Sequence, residues 1–553
     1  MKYFFISAGV VLSSLAVFSV QLGLDNDSGW GPKRTALLVA GIFCLIIGSA
    51  IHFLGNAAAN AAEKINAVIE ARFSRTFRII AVSLVSSAIV ISAYFWFIEL
   101  DERIVASDYE YYVEMAKSFK NGHLHLELAP PPELLALENP YDYFLRKEKG
   151  VDNFPWDLSL YDSKFYIYWG PTPAVLAALL SRDLLNRIGD FHLALAAACA
   201  LFIYQILIIG TYWKRELKHA PAWLLGILLL TVGLITPVPI MLDGAKVYDA
   251  AIFSCQLFLI GGCYWAYSAF LDDSPSVWKL ALAATHWALS VGSRVIVLPG
   301  VAICAALTLV YVYKYYKGKN IRMLAPAFLG VAIPLLIGGG ALAWYNWARF
   351  GSIFEFGLTY QLANIDYTNF TNVFNTSRFP LNTGLYLAHP LSVSSRFPFI
   401  APIEYVNSNE RFAGLIFIAP YIFLLGFPIM RWMGEVLAGN HSTISQRLAG
   451  SWLSLSLLGV SLASISIIFS YYFPAMRFVE DFMPAMAIFV TVQVGSQYDA
   501  LQGKIIHRRI YTGVVLILAA ITILANILLA VPGDGVVFAV NFLNDIYKLL
   551  GLK

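Results

Sequence analysis

The chain has 553 residues, of which 59% are hydrophobic and 13% charged, and its formal net charge is +3. Soluble domains carry roughly 25% charged residues, so this composition excludes an ordinary soluble protein and predicts an integral membrane protein. The small net charge argues against nucleic acid as a partner. The five cysteines all lie in apolar runs without a CxxC pair, so the sequence predicts neither disulfides nor a zinc site.

Apolar runs long enough to cross a bilayer recur along the chain, because a bilayer core about 30 Å thick needs about 20 apolar residues in a helix. They lie near residues 3–22, 35–57, 77–99, 191–212, 221–241, 247–270, 323–345, 412–431, 449–472, 480–498 and 511–532. The stretch 277–312 is long enough for two more helices, and VGSR at 291–294 interrupts it, which predicts a helical hairpin. The sequence therefore predicts an all-α polytopic membrane protein with about 13 transmembrane helices. We expect the first run to be a retained helix rather than a cleaved signal sequence.

Basic residues orient these spans, because they concentrate in cytoplasmic loops. They cluster at 63–78, 214–219, 314–322 and 504–509. With about 13 spans all four clusters fall on the cytoplasmic side, the N-terminus is inside and the C-terminus is outside. The long polar segments 100–190 and 346–411 then lie outside the cytoplasm.

The first outer segment contains the stretch SDYEYYVEMAKSFKNG. Asp108, Tyr112, Glu114 and Ala116 recur there at helical spacing just past a membrane exit, and Gly122 is a helix stop signal. An acid in this place can also be a simple helix cap. Further on, residues 170–190 are apolar, but counting them as a span would move the cluster at 214–219 outside, so we expect a re-entrant or surface-lying helix. The mixed apolar spacing of residues 536–553 predicts a helix that lies on the outer surface.

An ordered set of motifs resembles the GT-C superfamily of membrane glycosyltransferases, in particular the branch of protein O-mannosyltransferases and lipid A aminoarabinose transferases. The motifs are D-x-x-x-Y-x-x-x-A from Asp108 followed by NG, NPYD (139–142), WDLSLY (156–161), KFYIYWGPTP (164–173), KVYDAAIF (246–253), GSRVIVLPG (292–300), YNWARFGSIFEFGLTYQL (345–362), SRFPFIAP (395–402) and MRFVEDFMP (476–484). The resemblance covers roughly 77–500 as a catalytic core with juxtamembrane helices in its first large loop. It leaves two extra helices in 1–76 and one transmembrane helix plus a surface helix in 501–553.

The resemblance implies transfer of a sugar from a polyprenyl-phosphate donor to a glycan, lipid or protein acceptor on the extracytoplasmic side, with inversion, in a bacterial inner membrane. Such a reaction needs a base for the acceptor hydroxyl and cations for the leaving phosphate. The implied base is Asp108, and Lys164, Arg294 and Arg477 are the implied phosphate ligands. The expected contacts to sugar or acceptor come from Glu110, Tyr112, Tyr248 and Asp249. We expect no cofactor, and a divalent metal is possible but not favoured.

Purely structural explanations remain open for several of these residues. Lys164 is equally explained as a snorkelling interfacial lysine, and Asp249 as a helix-start acid. Arg294 interrupts an apolar stretch, where an ionisable group is costly, but carbonyls or lipid headgroups can hold such an arginine. Arg477 has Glu480 and Asp481 beside it as salt-bridge partners. For the whole chain, the competing functions are a multi-span transporter or flippase and a non-catalytic binder of lipid-linked sugars.

Overall fold

The computed structural model of the protein is mostly helical. It describes residues 9–14, 16, 41, 45, 72–100, 109–151, 153–317, 322, 324–364, 367, 373–393, 398–405, 410–426 and 448–531. From residue 75 onward the helices are α1 (Arg75–Leu100), α2 (Tyr111–Lys120), α3 (Pro132–Leu135), α4 (Tyr143–Glu148), α5 (Thr172–Ala177), α6 (Arg182–Leu185), α7 (Asp190–Arg215), α8 (Ala222–Gly233), α9 (Val238–Leu242), α10 (Val247–Phe270), α11 (Val277–Ser293), α12 (Leu298–Tyr316), α13 (Leu324–Phe350), α14 (Phe379–Ala388), α15 (Leu415–Ile418), α16 (Leu448–Ser470), α17 (Met483–Ala500) and α18 (Ile505–Leu529).

Within the described residues, seven helical segments are long and apolar enough to cross a membrane. They are Arg75–Ile98, Asp190–Arg215, Val247–Phe270, Val295–Tyr316, Leu324–Phe350, Ala449–Ser470 and Ile505–Leu529. The predicted polytopic helical fold is therefore confirmed, and the protein is a multi-pass membrane protein. The count of about 13 spans stays a prediction, because the runs at 3–22 and 35–57 lie largely outside the described residues, as does the C-terminal surface helix.

Two predicted spans are not continuous helices. The run 221–241 is helical only to Gly233 and resumes as the short α9. The run 412–431 begins as α15 and continues as a 3-10 turn, Pro420–Leu425, in its described part. Prolines lie at both breaks, and proline removes a backbone donor and clashes with the preceding turn. Apolar composition alone carried no information about these interruptions.

The predicted helical hairpin is present, and it breaks at Arg294. Helix α11 ends at Ser293, Arg294 is extended with φ −150° and ψ 120°, and the 3-10 turn Val295–Val297 leads into α12. An extended arginine between two helices is consistent with the interruption that VGSR predicted. The break lies beside the cavity described below.

The outer segments add small sheets and short helices to the bundle. Strands β1 (Ser159–Tyr161) and β2 (Lys164–Tyr166) form a hairpin, and β3 (Leu391–Val393), β4 (Ile400–Glu404) and β5 (Arg411–Phe412) form an antiparallel sheet. The β1–β2 turn has positive φ at Asp162 (47°) and Ser163 (54°), the conformation that tight hairpins favour. Residues 170–190 form two short helices, α5 and α6, instead of one, and Leu179 between them is 80% exposed.

The two long outer segments pack against each other through backbone contacts. The amide of Leu362 donates to the carbonyl of Leu158 at 2.8 Å. The buried guanidinium of Arg146 donates to the carbonyl of Ala363 at 2.7 Å. Buried Arg349 of α13 in turn donates to the carbonyl of Ile167 at 2.9 Å. Because buried carbonyls require donors, these arginines hold the loops on the ends of the membrane helices.

Contacts at the opposite end of the bundle join regions that the basic clusters assigned to one side. Arg75 donates to the carbonyl of Trp213 at 3.0 Å, and the amide of His219 donates to Asp499 Oδ1 at 2.5 Å. Arg75 of the first cluster and the residues around 213–219 therefore lie at one end. That this end is cytoplasmic stays a prediction from the charge rule.

Two carboxylates hold the start of α2 against the start of α7. Asp190 accepts from the amides of Tyr112 at 3.0 Å and Val113 at 3.1 Å. Glu110 accepts from the amide of Asp190 at 2.5 Å. Each helix therefore receives its capping carboxylate from the other chain segment, which satisfies N-terminal amides that have no partner within their own helix.

Replacing Asp190 with alanine is expected to destabilise the outer segment. The change leaves the buried N-terminal amides of α2 without an acceptor, which costs about 2 kcal/mol. The thermal unfolding midpoint in nanodiscs should fall by several degrees. The matched control is Glu114→Ala on the same helix, which removes only a part-exposed pair with Lys117. An equal loss in both variants would contradict the capping role.

Candidate functional site

A cavity of about 720 Å³ lies where the outer segments meet the outer ends of the membrane helices. Its wall comes from the first outer segment (156–157 and 168–170), the start of α10, the α11–α12 break, Leu342 of α13, the second outer segment and residues 468–478. Aromatic and apolar side chains dominate, with a few charged groups among them. Binding sites for small ligands have this composition.

Two arginines lie close to one aromatic ring in this wall. The guanidinium carbons of Arg294 and Arg477 are 5.5 and 5.3 Å from the ring centre of Phe478. Arg477 also lies 4.9 Å from the ring centre of Tyr248. Aromatic faces attract cations at these distances, so the rings fix both charges at the cavity.

Each arginine has a carboxylate partner from a distant part of the chain. Arg294 Nη1 donates to both oxygens of Asp481 at 3.0 Å, and Arg477 Nη1 donates to Glu410 Oε1 at 2.9 Å. The local salt bridge was an open alternative for Arg477, and the described contacts instead pair it with Glu410 across 67 residues. The Nε of Arg477 is buried and has no partner among the described residues.

The electrostatics of these pairs follow from burial and opposing charge. Burial lowers the pKa of the Arg477 guanidinium, but the carboxylates of Glu410 and Asp249 raise it more, so it lies above its ordinary value. Arg477 is therefore a cation at neutral pH.

A third charged group of the wall is Asp157, which sequence reasoning did not single out although it lies in the quoted WDLSLY motif. Its Oδ2 accepts from the hydroxyl of Tyr248, and its Oδ1 accepts from Gln361 Nε2 at 3.0 Å. Burial raises the pKa of the Asp157 carboxyl, against these two hydrogen bonds and the charge of Arg477. The group joins both outer segments to α10.

The predicted sugar or acceptor ligands are placed in different surroundings. Tyr248 lines the cavity. Tyr112 is fully buried in α2, and its hydroxyl has no partner among the described residues. The Glu110 carboxylate lies on the first amide of α7, and Asp249 Oδ2 accepts from the amide of Lys246 at 2.8 Å. That contact is the helix-start role left open for Asp249.

The remaining predicted residues lie elsewhere. Asp108 is outside the described residues. Lys164 is exposed at the start of β2 and does not belong to the cavity wall. Arg294 and Arg477 are thus the predicted phosphate ligands that the structure brings together. In the described part of the chain, no three His, Cys, Asp or Glu side chains converge as a metal site.

Comparisons with known proteins give little further guidance. No family model and no curated protein matches the sequence. The fold is similar to the crystal structure of the Archaeoglobus fulgidus oligosaccharyltransferase in the apo form, with 13% identity and a TM-score of 0.43. The match covers 84% of this chain and 57% of that chain, so this chain spans little more than half of its length. A likeness of this size carries no argument about fold family or reaction.

The geometry places two guanidinium groups beside a cavity that borders the membrane helices, and each is paired with a carboxylate. Guanidinium groups are suited to bidentate contacts with phosphate oxygens.

Removing the carboxylate of Asp481 is expected to destabilise the protein by about 3 kcal/mol, because a buried charge is left without its partner. The measurement is thermal unfolding of Asp481→Asn, Arg294→Gln and the double variant in nanodiscs. The double variant should lose less than the sum of the single variants, with a coupling of about 1–3 kcal/mol. Strictly additive losses would show that the pair contributes nothing of its own.

Proposed function

We propose that the protein is a GT-C-type glycosyltransferase that moves a sugar from a polyprenyl-phosphate donor to an acceptor on the extracytoplasmic side of the membrane. The observation that carries the proposal is the pair of arginines, Arg294 and Arg477, held around Phe478 in a cavity at the membrane boundary. The ordered motifs of the sequence support the same assignment.

The composition of the cavity wall supports a donor with an apolar tail. Leu342 comes from α13, Val295 and Ile296 from the α11–α12 break, and Ile468 from the last turn of α16. These elements border the bilayer, and Val295 is 38% exposed. A prenyl chain has a place against such residues, while its phosphate reaches the arginines.

Glycosyl transfer accounts for the placement of the charges. The acceptor oxygen forms a bond to the anomeric carbon and gives its proton to a carboxylate base, and the bond between that carbon and the phosphate oxygen breaks. The polyprenyl phosphate leaves with the additional negative charge. Fixed cations stabilise that charge as it develops, which is the role proposed for Arg294 and Arg477.

Asp108 is the proposed base. Glu110, two residues further on in the sequence, is anchored at the start of α7. A carboxylate within hydrogen-bond reach of the acceptor contributes about 10²–10⁴-fold to such a reaction. We further propose a bacterial inner membrane location, a glycan, lipid or protein acceptor, and a reaction without a resident metal.

The test is release of radiolabelled sugar from a panel of polyprenyl-phosphate sugars by protein in nanodiscs. Wild type should turn over at least one donor, and Asp108→Asn should lower kcat by about 10²-fold or more, because asparagine cannot accept the proton. The matched control is Asp183→Asn, an exposed acid in the first turn of α6, which should retain wild-type turnover.

Other outcomes of that experiment favour the competing functions. Donor that crosses the bilayer intact, without bond cleavage, would make the protein a transporter. Donor bound equally by wild type and Asp108→Asn, with cleavage in neither, would make it a binder of lipid-linked sugars. Turnover that survives Asp108→Asn unchanged would assign the base elsewhere.

Arg477 is expected to contribute directly to donor phosphate binding. Arg477→Gln removes the charge and the unpartnered Nε–H, and the affinity for polyprenyl phosphate without a sugar should fall by about 10-fold or more. Binding can be followed by titration in nanodiscs. The control is Lys149→Gln, an exposed cation of the first outer segment that pairs only with neighbouring Glu148 in the described contacts. Equal losses would indicate general charge attraction instead of a site.

A further inference from the structure

Asp157 is held in an unusual backbone conformation at the cavity. Its φ is 61°, in the left-handed region that L-residues other than asparagine and aspartate seldom adopt. Asp157 follows Trp156, which also lines the cavity. The hydrogen bonds from Tyr248 and Gln361 come from other parts of the chain and fix the carboxylate there. Strained residues that are held in this way gather at functional sites.

The carboxylate has acceptor capacity left over. A carboxylate offers about four lone-pair positions, and the described contacts use two of them, one on each oxygen. The group lines the cavity and is only partly buried. A ligand in the cavity can therefore donate a hydrogen bond to Asp157 without displacing either protein partner.

Other acids of the cavity wall are already engaged. Glu355 Oε1 accepts from the amide of Gly357 at 2.6 Å within its own loop. Glu410 pairs with Arg477. Glu110 and Asp249, expected from sequence to contact the substrate, have carboxylates on helix N-termini. Asp157 differs from these acids because two side chains from other parts of the chain, Tyr248 and Gln361, hold its carboxylate at the cavity.

The position of Asp157 relative to the arginines indicates which part of a ligand it meets. Tyr248 lies between them, because its hydroxyl donates to Asp157 and its ring lies under Arg477. A carboxylate repels phosphate but accepts from a neutral hydroxyl. The ring of Trp169 packs edge-on against Tyr248 with a centroid distance of 5.3 Å. A hydroxylated ring attached to a phosphate would place its phosphate at the arginines and a hydroxyl at Asp157.

We propose that Asp157 accepts a hydrogen bond from one hydroxyl of the transferred sugar and thereby selects the donor by that hydroxyl. The assignment rests on the proposed glycosyl transfer. Tyr248 and Gln361 are positioning residues, since they orient the carboxylate. A site built to bind a hydroxyl rejects the analogue without it, because its polar group is then left unpaired.

The experiment uses the donor that wild type turns over and its series of single-deoxy analogues, with kcat/KM measured for wild type and Asp157→Asn in nanodiscs. In wild type, loss of one particular hydroxyl should cost about 10²-fold or more. In Asp157→Asn the same loss should cost less than about tenfold, so that the two changes are not additive. A purely structural aspartate would lower all donors by the same factor.

The matched control is Asp162→Asn, which changes an exposed aspartate of the same outer segment that also has positive φ, 47°. It should keep the wild-type discrimination between donors. Tyr248→Phe provides a second variant, because it removes one anchor of the carboxylate and leaves the carboxylate in place. Discrimination there should be intermediate between wild type and Asp157→Asn.

The outcomes separate the two proposals. Full discrimination in Asp157→Asn, or unchanged discrimination in Tyr248→Phe should the first variant fail to fold, would overturn the role of Asp157 while leaving glycosyl transfer intact. Transfer from no donor by wild type would overturn the proposed function and this assignment with it. Loss of discrimination at a single hydroxyl identifies the group that Asp157 binds.

Discussion

The ion pair between Arg294 and Asp481 is the interaction on which the outer half of the structure depends. Arg294 interrupts the α11–α12 hairpin, and Asp481 ends the 3-10 turn that carries Arg477 and Phe478. At a membrane boundary an arginine needs a partner from the protein, because water is scarce and an unpaired charge is costly. The pair satisfies both charges and joins two elements that are distant in sequence. The second arginine is thereby brought to the cavity.

The same requirement divides the acidic residues at this end of the bundle into two groups. Glu110, Asp190 and Asp249 satisfy amides at helix N-termini, which have no partners of their own. Asp157 and Glu410 instead contact side chains that line the cavity. The first group builds the scaffold, and the second group gives the cavity its chemistry. Position in the sequence does not reveal which residues line the cavity. Tyr248 and Asp249 are neighbours, but Tyr248 lines the cavity and Asp249 caps a helix.

The cavity combines two kinds of wall that suit a ligand with two kinds of surface. Apolar residues come from elements that border the membrane. The charged and hydroxyl groups come from the outer segments, the start of α10, the α11–α12 break and residues 471–478. Buried arginines such as Arg349 hold those segments on the helix ends by donating to loop carbonyls. The loops are therefore fixed parts of the site. The proposed donor, a lipid-linked sugar phosphate, would place its tail against the apolar wall and its phosphate and hydroxyls against the polar wall.

Hydropathy and charge along the chain were enough to predict the multi-span helical fold, the break at Arg294 and the outer position of the two long polar segments relative to the basic clusters. These are local properties, because a helix that crosses a bilayer must be apolar over its own length. Hydropathy did not predict the proline breaks in the runs at 221–241 and 412–431, because the mean composition of a run does not show where its helix is interrupted. The tertiary structure decided the partners: Arg294 meets Asp481 across 187 residues, and Tyr248 meets Asp157 across 91. Such pairs depend on how helices and loops pack, and no periodicity within either segment encodes them.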